Sequence, residues 1–460
     1  MPVLDFLLLR TQPTGRAGGS LDYACPEPYR FIYAAVRKFK ACCLDHRQVL
    51  DWHYPKRRKR MAANIQSPIR VVGSDDVSEL GFDRSRLARV REKILADVDA
   101  GRCHGVSMIV ARRGQIVLDI TEGYADRQAG RALERNAVFV TMSVAKQFTS
   151  VLALSLVERG LLKLHAPVAE LIPEFGTLGK EKVNLFHLLT QTSGVMSAIP
   201  PVPPDVLMNI DKLVAYACGL PLESQPGERV SYSILLAHTI IAALCLRADG
   251  RGRSFAQMLR EDLFEPLGMH DTSLGPRDDL LKRLCPVRVS YKDIPALLPP
   301  EAVEGIGALL TTPGCEIPGA GCLTTIHDVH RFAEMLRRGG ELDGARLLSP
   351  AMLDFCTRNH TGAMRNILFD LWAGTRGWQF YPANLGVGFF MRGDGNLPGL
   401  FSVMNSPRTF GGFGAGSTGF TVDPVRDLSL AFLSTGLMED SYHFERIGVM
   451  ASLVLAAMTA

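Results

Sequence analysis

Ser143-Val144-Ala145-Lys146 sets a hydroxyl and an amine three residues apart, where a β-rich stretch, Val138-Phe139-Val140, runs into an apolar one. On a helical turn that spacing places both groups on one face, within hydrogen-bond reach. A serine hydroxyl is a poor nucleophile until a base takes its proton. A lysine becomes such a base when desolvation and the positive end of a helix dipole bring its pKa down from about 10.4. The same four residues also suit a helix-capping serine beside a surface lysine, so their surroundings decide between the two. A second cluster, Pro226-Gly227-Glu228-Arg229-Val230-Ser231-Tyr232-Ser233, is a turn that delivers a tyrosine just ahead of another apolar run. Its phenol can relay protons if cations hold down its pKa near 10, whereas a buried tyrosine with a satisfied hydroxyl is the structural alternative. The third cluster, Gly411 to Gly419, contains Gly412-Phe413-Gly414 and a G-x-G-x-x-G pattern from Gly414 to Gly419. A strand follows that pattern where dinucleotide binding needs a helix, so no cofactor is expected. The glycines suit a strand that lets a substrate come close to the backbone. His327 and His330 stand three apart with no third ligand in sight, and no metal is expected.

Elements at both ends of the chain must bring these clusters together. Asp83 is a helix N-cap, and Leu87, Val90, Ile94 and Val98 recur at helical spacing up to Gly101. Val106 to Ala111 and Gln115 to Thr121 form a hairpin. Ser143 to Glu158 reads as a helix buried on most sides, ending at Gly160. Residues from roughly 165 to 400 are rich in helices and loops. Near the end, Gly419 to Val422 and Leu428 to Ser434 flank a second hairpin turn, and an apolar helix starts at about Phe444. The pattern predicts a mixed α/β (α+β) architecture: an antiparallel sheet formed from both ends of the chain, flanked by helices, with a mostly helical insertion at about 160–400. This domain spans 66–460, behind a poorly ordered basic extension at 1–65. Trp372, Trp378, Phe380 and Tyr381 line an acyl pocket or belong to the core.

The chain has 51 Lys and Arg against 47 Asp and Glu, but residues 1–60 hold 12 of the basic and 5 of the acidic residues, leaving 39 against 42 for the rest. That body carries no electrostatic footprint for nucleic acid or an anionic membrane. The run Lys56-Arg57-Arg58-Lys59-Arg60 fits a nuclear or nucleic-acid tag, but a plain extension is the preferred reading. The ten cysteines lack metal-ligand spacing and read as reduced, mostly buried thiols. Met1 to Arg10 makes a poor secretory signal, and no apolar stretch of spanning length follows, so a cytoplasmic protein is expected.

Taken together the clusters resemble the serine β-lactamase and penicillin-binding-protein superfamily, for which S-x-x-K is a signature, and in particular class C β-lactamases and family VIII carboxylesterases. Further matching segments run in order over residues 82–440: His187 to Gly194, Glu265-Pro266-Leu267-Gly268-Met269, Pro318-Gly319-Ala320-Gly321 into Thr324-Thr325, Gly339-Gly340-Glu341-Leu342, and Val422-Asp423-Pro424. The resemblance implies that Ser143 is acylated and that Lys146 is its general base. It implies that Tyr232 carries the proton to the leaving group and activates the deacylating water. The oxyanion would be held by the backbone N–H groups of Ser143 and Ala415, with Gly412, Phe413 and Gly414 along the substrate. Two positions depart from the family pattern. Tyr232-Ser233-Ile234 stands where lactam-processing members have Tyr-x-Asn, and Gly412 stands where the third motif begins with Lys, His or Trp. The resemblance therefore implies a carboxylesterase-type hydrolase of small esters or amides. A β-lactamase, a D-aminopeptidase or D,D-peptidase, an acyltransferase, and a catalytically inactive ligand- or partner-binding homologue are the alternatives.

Deletion of residues 1–60 is expected to leave ester hydrolysis intact. Loss of activity in the truncated protein would show that the extension belongs to the fold.

Overall fold

The computed structural model describes residues 77–459, apart from 292, 293, 295, 297, 396 and 397. The extension at 1–65 lies outside the described residues. Helix α1 (Arg84–Asp99) begins where the Asp83 side chain accepts a hydrogen bond from the Arg86 backbone N–H, and it buries Leu87, Val90, Ile94 and Val98 as one stripe. Strands β1 (Gly105–Arg112) and β2 (Gln115–Asp126) follow. They are joined by Arg113 and Gly114, both at positive φ, a geometry whose twist matches the flanking strands. A short β3 (Arg131–Ala132) pairs with the end of β2. The other end of the chain supplies β4 (Phe390–Met391), β5 (Phe410–Gly414), β6 (Thr418–Asp423) and β7 (Leu428–Thr435).

These strands make one antiparallel sheet in the order β3-β2-β1-β7-β6-β5-β4. Its central joint is β1 on β7, from Gly105 opposite Thr435 to Arg112 opposite Leu428, so the two termini meet in the middle of the sheet. Both strands are buried along their whole length, and their alternation assigns one set of side chains to each face. Leu428, Leu430 and Phe432 pack with α1 and with the closing helix α5 (Asp440–Ala456). Ala431 and Leu433 face the other way, into a core with α2 (Ala145–Glu158), α3 (Leu236–Asp249) and α4 (Ile326–Arg337). The predicted sheet from both chain ends is thus observed. Among the described residues no helix is long and apolar enough to cross a membrane, and the seven cysteines are free thiols, six of them buried.

Two expectations need correction. Ser143 does not open an α-helix; it sits in a tight 3-10 turn, Met142–Val144, and α2 starts only at Ala145. The closing helix begins at Asp440, four residues before Phe444, because the Glu439 side chain caps it by accepting from the Ser441 N–H. Within the mostly helical insertion there are also short strands. Strand β4 already pairs with β5 there, and a separate three-stranded sheet joins Phe139–Val140, Cys322–Thr324 and Ser273–Leu274. Strands of two or three residues are too short for alternation to reveal them.

Phe148 locks α2 to α4. Its ring lies edge-on to Phe332 at 4.7 Å and to Phe264 at 5.5 Å, fully buried. Phe148→Ala should cost about 3–5 kcal/mol, read as a lower urea midpoint at unchanged slope.

Candidate active site

The turn that presents Ser143 is held from three directions. The Thr141 N–H donates to Cys322 O at 2.8 Å, Thr141 Oγ1 reaches Ala320 O at 3.4 Å, and Thr418 Oγ1 on β6 donates to Thr141 O at 2.6 Å. Met142, immediately before the serine, adopts φ +48°, a left-handed conformation that a methionine holds only when its surroundings enforce it. Ser143 itself is half-exposed. No side chain caps this turn or α2, Ser143 Oγ accepts from Lys146 Nζ, and that lysine is buried, so the alternative of a capping serine beside a surface lysine does not hold.

One turn on, Lys146 is 2% exposed. Its Nζ lies 3.1 Å from Ser143 Oγ, 2.8 Å from Ile234 O and 2.9 Å from Gly319 O. Burial pulls its pKa down to about 7, and nothing acidic opposes that shift. The cause is desolvation. In the ammonium form all three hydrogens find acceptors. Once one proton is lost, two N–H remain for the two carbonyls, and the lone pair faces the serine hydroxyl, which then donates to it.

Tyr232 completes the group. Lys146 Nζ sits 5.1 Å from the centre of its ring, and Phe390 stacks on the ring at 6.1 Å. Burial pushes the phenol pKa well above its ordinary value; the hydrogen-bonding contact with Ser143 works against this and the Asp440 carboxylate adds to it. The condition of a cation-lowered pKa is not met: burial dominates, and the group is a neutral phenol at physiological pH. Its backbone is splinted by the segment that starts at His187. Gln191, at φ +57°, accepts from the Ser231 N–H at its own carbonyl (2.9 Å) and from the Ser233 N–H at Oε1 (2.8 Å). That splint was not recognised in the sequence, because nothing local marks a contact across 42 residues.

The glycine-rich segment forms the facing wall. Gly412 and Gly414 turn toward the Ser143 side: a Cβ at Gly414 would fall 2.3 Å from Thr141 O and 2.9 Å from Met142 Cβ, and one at Gly412 only 2.2 Å from Gln147 Oε1. The missing third-motif side chain is thus explained by occupied space, since the Gln147 carboxamide fills it. Ile234 contributes through its backbone carbonyl to Lys146, while its side chain packs into an apolar cluster. Ala415 follows β5 directly in the hairpin turn, half-buried, and its N–H donates to no acceptor among the described residues. Phe413 is a correction. Alternation turns its ring to the face of β5 opposite Gly412 and Gly414, where it packs, 2% exposed, against Phe390, Phe401 and Phe444. Trp372 and Tyr381 likewise join this aromatic core through Phe369, whereas Phe380 lies exposed over Arg365. His327 and His330 lie on α4, and among the described residues no three His, Cys, Asp or Glu side chains gather to hold a metal.

A buried amine beside a half-exposed serine, a neutral phenol and an unused backbone donor can activate a nucleophile, protonate a leaving group and hold an oxyanion. Comparison with known proteins agrees with that chemistry. The chain is 25% identical over 365 residues to the esterase/beta-lactamase LipL of Mycobacterium tuberculosis, covering 73% of this chain and 78% of the relative. A family VIII carboxylesterase structure superposes with a TM-score of 0.68 at 22% identity, over 82% of this chain and 99% of its own. A penicillin-binding-protein homologue from Caulobacter crescentus gives 0.66 at 24% identity, over 81% and 99%. These two likenesses establish the fold. The sequence profile of the family described as Beta-lactamase matches residues 90–455. Matched over most of its length, the chain belongs to the β-lactamase family of serine hydrolases.

Proposed function

We propose that this protein hydrolyses small esters or amides, as a carboxylesterase-type enzyme, through an acyl-enzyme on Ser143. The observation that carries the reading is the buried Lys146 amine, 3.1 Å from Ser143 Oγ with its other hydrogens directed to two carbonyls. Lys146 takes the hydroxyl proton as Oγ attacks the substrate carbonyl carbon. The oxyanion that forms is met by the N–H groups of Ser143 and Ala415, donors that need no reorganisation because the backbone already holds them. Ser143 lies in the first turn, where helical N–H groups have no intrahelical partner. Tyr232, a neutral phenol, donates to the departing alkoxide or amine and recovers its proton from Lys146. Two features support an ester over a lactam. Ile234 offers no side-chain amide, and Gly412 offers no side chain to hold a substrate carboxylate. The mycobacterial relative carries both activities in its name.

Because only the neutral amine is a base, kcat/KM for p-nitrophenyl acetate should rise with pH and level off above an apparent pKa near 7. The phenol, with its pKa raised, adds no alkaline limb in that range. The folded chain binds fewer protons at Lys146 than the unfolded chain between about 7 and 10.5, so this group's contribution to stability increases with pH across that window. Lys146→Met should lower kcat about 10²–10⁴-fold, and Ser143→Ala should abolish both turnover and fluorophosphonate labelling seen by intact mass. Gly414→Ala, which drives a methyl into Thr141 O, should cost about 10²-fold or more by parting β5 from the Ser143 turn. Nitrocefin turnover faster than ester turnover would contradict the ester assignment, and the lack of any Ser143 adduct would contradict the acyl-enzyme.

A further inference from the structure

Beside Lys146 lies a cavity of about 20 Å³, walled by Lys146, Gln147, Gln191, Tyr232, His238 and Phe390 among others. A space of that size accommodates one water molecule, provided polar partners face it. Two wall residues carry buried polar atoms with no hydrogen-bond partner among the described residues, Gln147 Oε1 and His238 Nδ1. The two residues are 4% and 2% exposed. The other end of each side chain is already engaged: Gln147 Nε2 donates to Gly388 O at 3.4 Å, and His238 Nε2 stands 3.4 Å from Ser150 Oγ. Turning the carboxamide over would set its oxygen against the Gly388 carbonyl, so the orphaned acceptor cannot be relieved that way.

We propose that Gln147 and His238 hold the water consumed in the second half-reaction, a reading that rests on the acyl-enzyme at Ser143. The water donates to Gln147 Oε1 and shares a hydrogen bond with His238 Nδ1. Lys146 and Tyr232 border both this cavity and Ser143, so the water is stored one side chain from the acyl carbon. In deacylation its oxygen bonds to that carbon as its proton passes by way of Tyr232 to the neutral Lys146 amine. The tetrahedral intermediate then collapses, the Oγ–carbon bond breaks, and the proton returns to Ser143 Oγ. The products are the carboxylic acid and the free serine.

An alcohol acceptor is too large for the cavity and must come from the open side of Ser143, so the water site governs the partition between hydrolysis and acyl transfer. Gln147→Met keeps the bulk and removes the acceptor. With p-nitrophenyl acetate, its acylation burst should stay within about twofold of the parent while deacylation slows about tenfold, as expected for one hydrogen bond lost. Acyl-Ser143 should accumulate in intact mass spectra, and added methanol should raise the ratio of methyl ester to acid about tenfold. Should Gln147→Met fail to fold, His238→Leu is read by the same partition ratio. A normal burst with an unchanged ratio would overturn the water site alone, as would acylation and deacylation falling together. Absence of acyl-Ser143 from the parent protein would instead overturn the hydrolase reading and this one with it.

Discussion

Burying a charged amine is costly unless the group is paired or gives up its proton. At Lys146 the fold offers carbonyls and a hydroxyl but no carboxylate, so the amine approaches neutrality near pH 7. Much of the architecture serves that one condition. Helix α2 runs through the core with eleven buried residues, which takes the lysine out of bulk solvent. The two carbonyls come from distant parts of the chain, Ile234 ahead of α3 and Gly319 ahead of the strand at Cys322–Thr324. Neither could be supplied from within the helix, whose own carbonyls are committed to its backbone ladder. The helical insertion therefore does more than wall a cleft, since it brings acceptors to the amine that keep it hydrogen-bonded without keeping it charged.

The second constraint is the approach of β5 to the Ser143 turn. Thr418 Oγ1 bonded to Thr141 O ties strand β6, the neighbour of β5, to the residue two before the serine. Gly414 allows the contact, because any side chain there would strike backbone. The sheet in turn depends on both termini, since β6 and β5 hang from β7, and β7 from β1. The strain at Met142 is carried by these anchors, as expected where a nucleophile is displayed on a tight turn.

Much of this was legible in the sequence because its signals are local. The stripe Leu87, Val90, Ile94 and Val98 marked α1, and the short turns at Arg113-Gly114 and Asp423 to Asp427 marked hairpins whose partners had to come from each other. Ser143, Lys146 and Tyr232 were marked by spacing and flanking turns, and the structure brings them together. The rest depended on distance and burial. The pairing of Lys146 with Gly319 O spans 173 residues, and nothing near Gln191 announces that it splints the tyrosine turn. Phe413 was assigned to the substrate side because it lies between two site glycines, yet strand alternation alone sends it to the other face. The direction of the tyrosine pKa shift was not legible, because burial is invisible in a list of residues. Gly412 and Ile234 looked like losses for the same reason, although one makes room for Gln147 and the other acts through its backbone.

The ionisation of Lys146 can be observed without any substrate. In the Ser143→Ala protein labelled with carbon-13 at the lysine side chains, the Lys146 Cε resonance, assigned by its loss in a further Lys146→Met change, should titrate with a midpoint near pH 7. A midpoint close to 10.5, where an ordinary lysine titrates, would mean that the amine is charged at neutral pH, and that the buried group is no base for the serine.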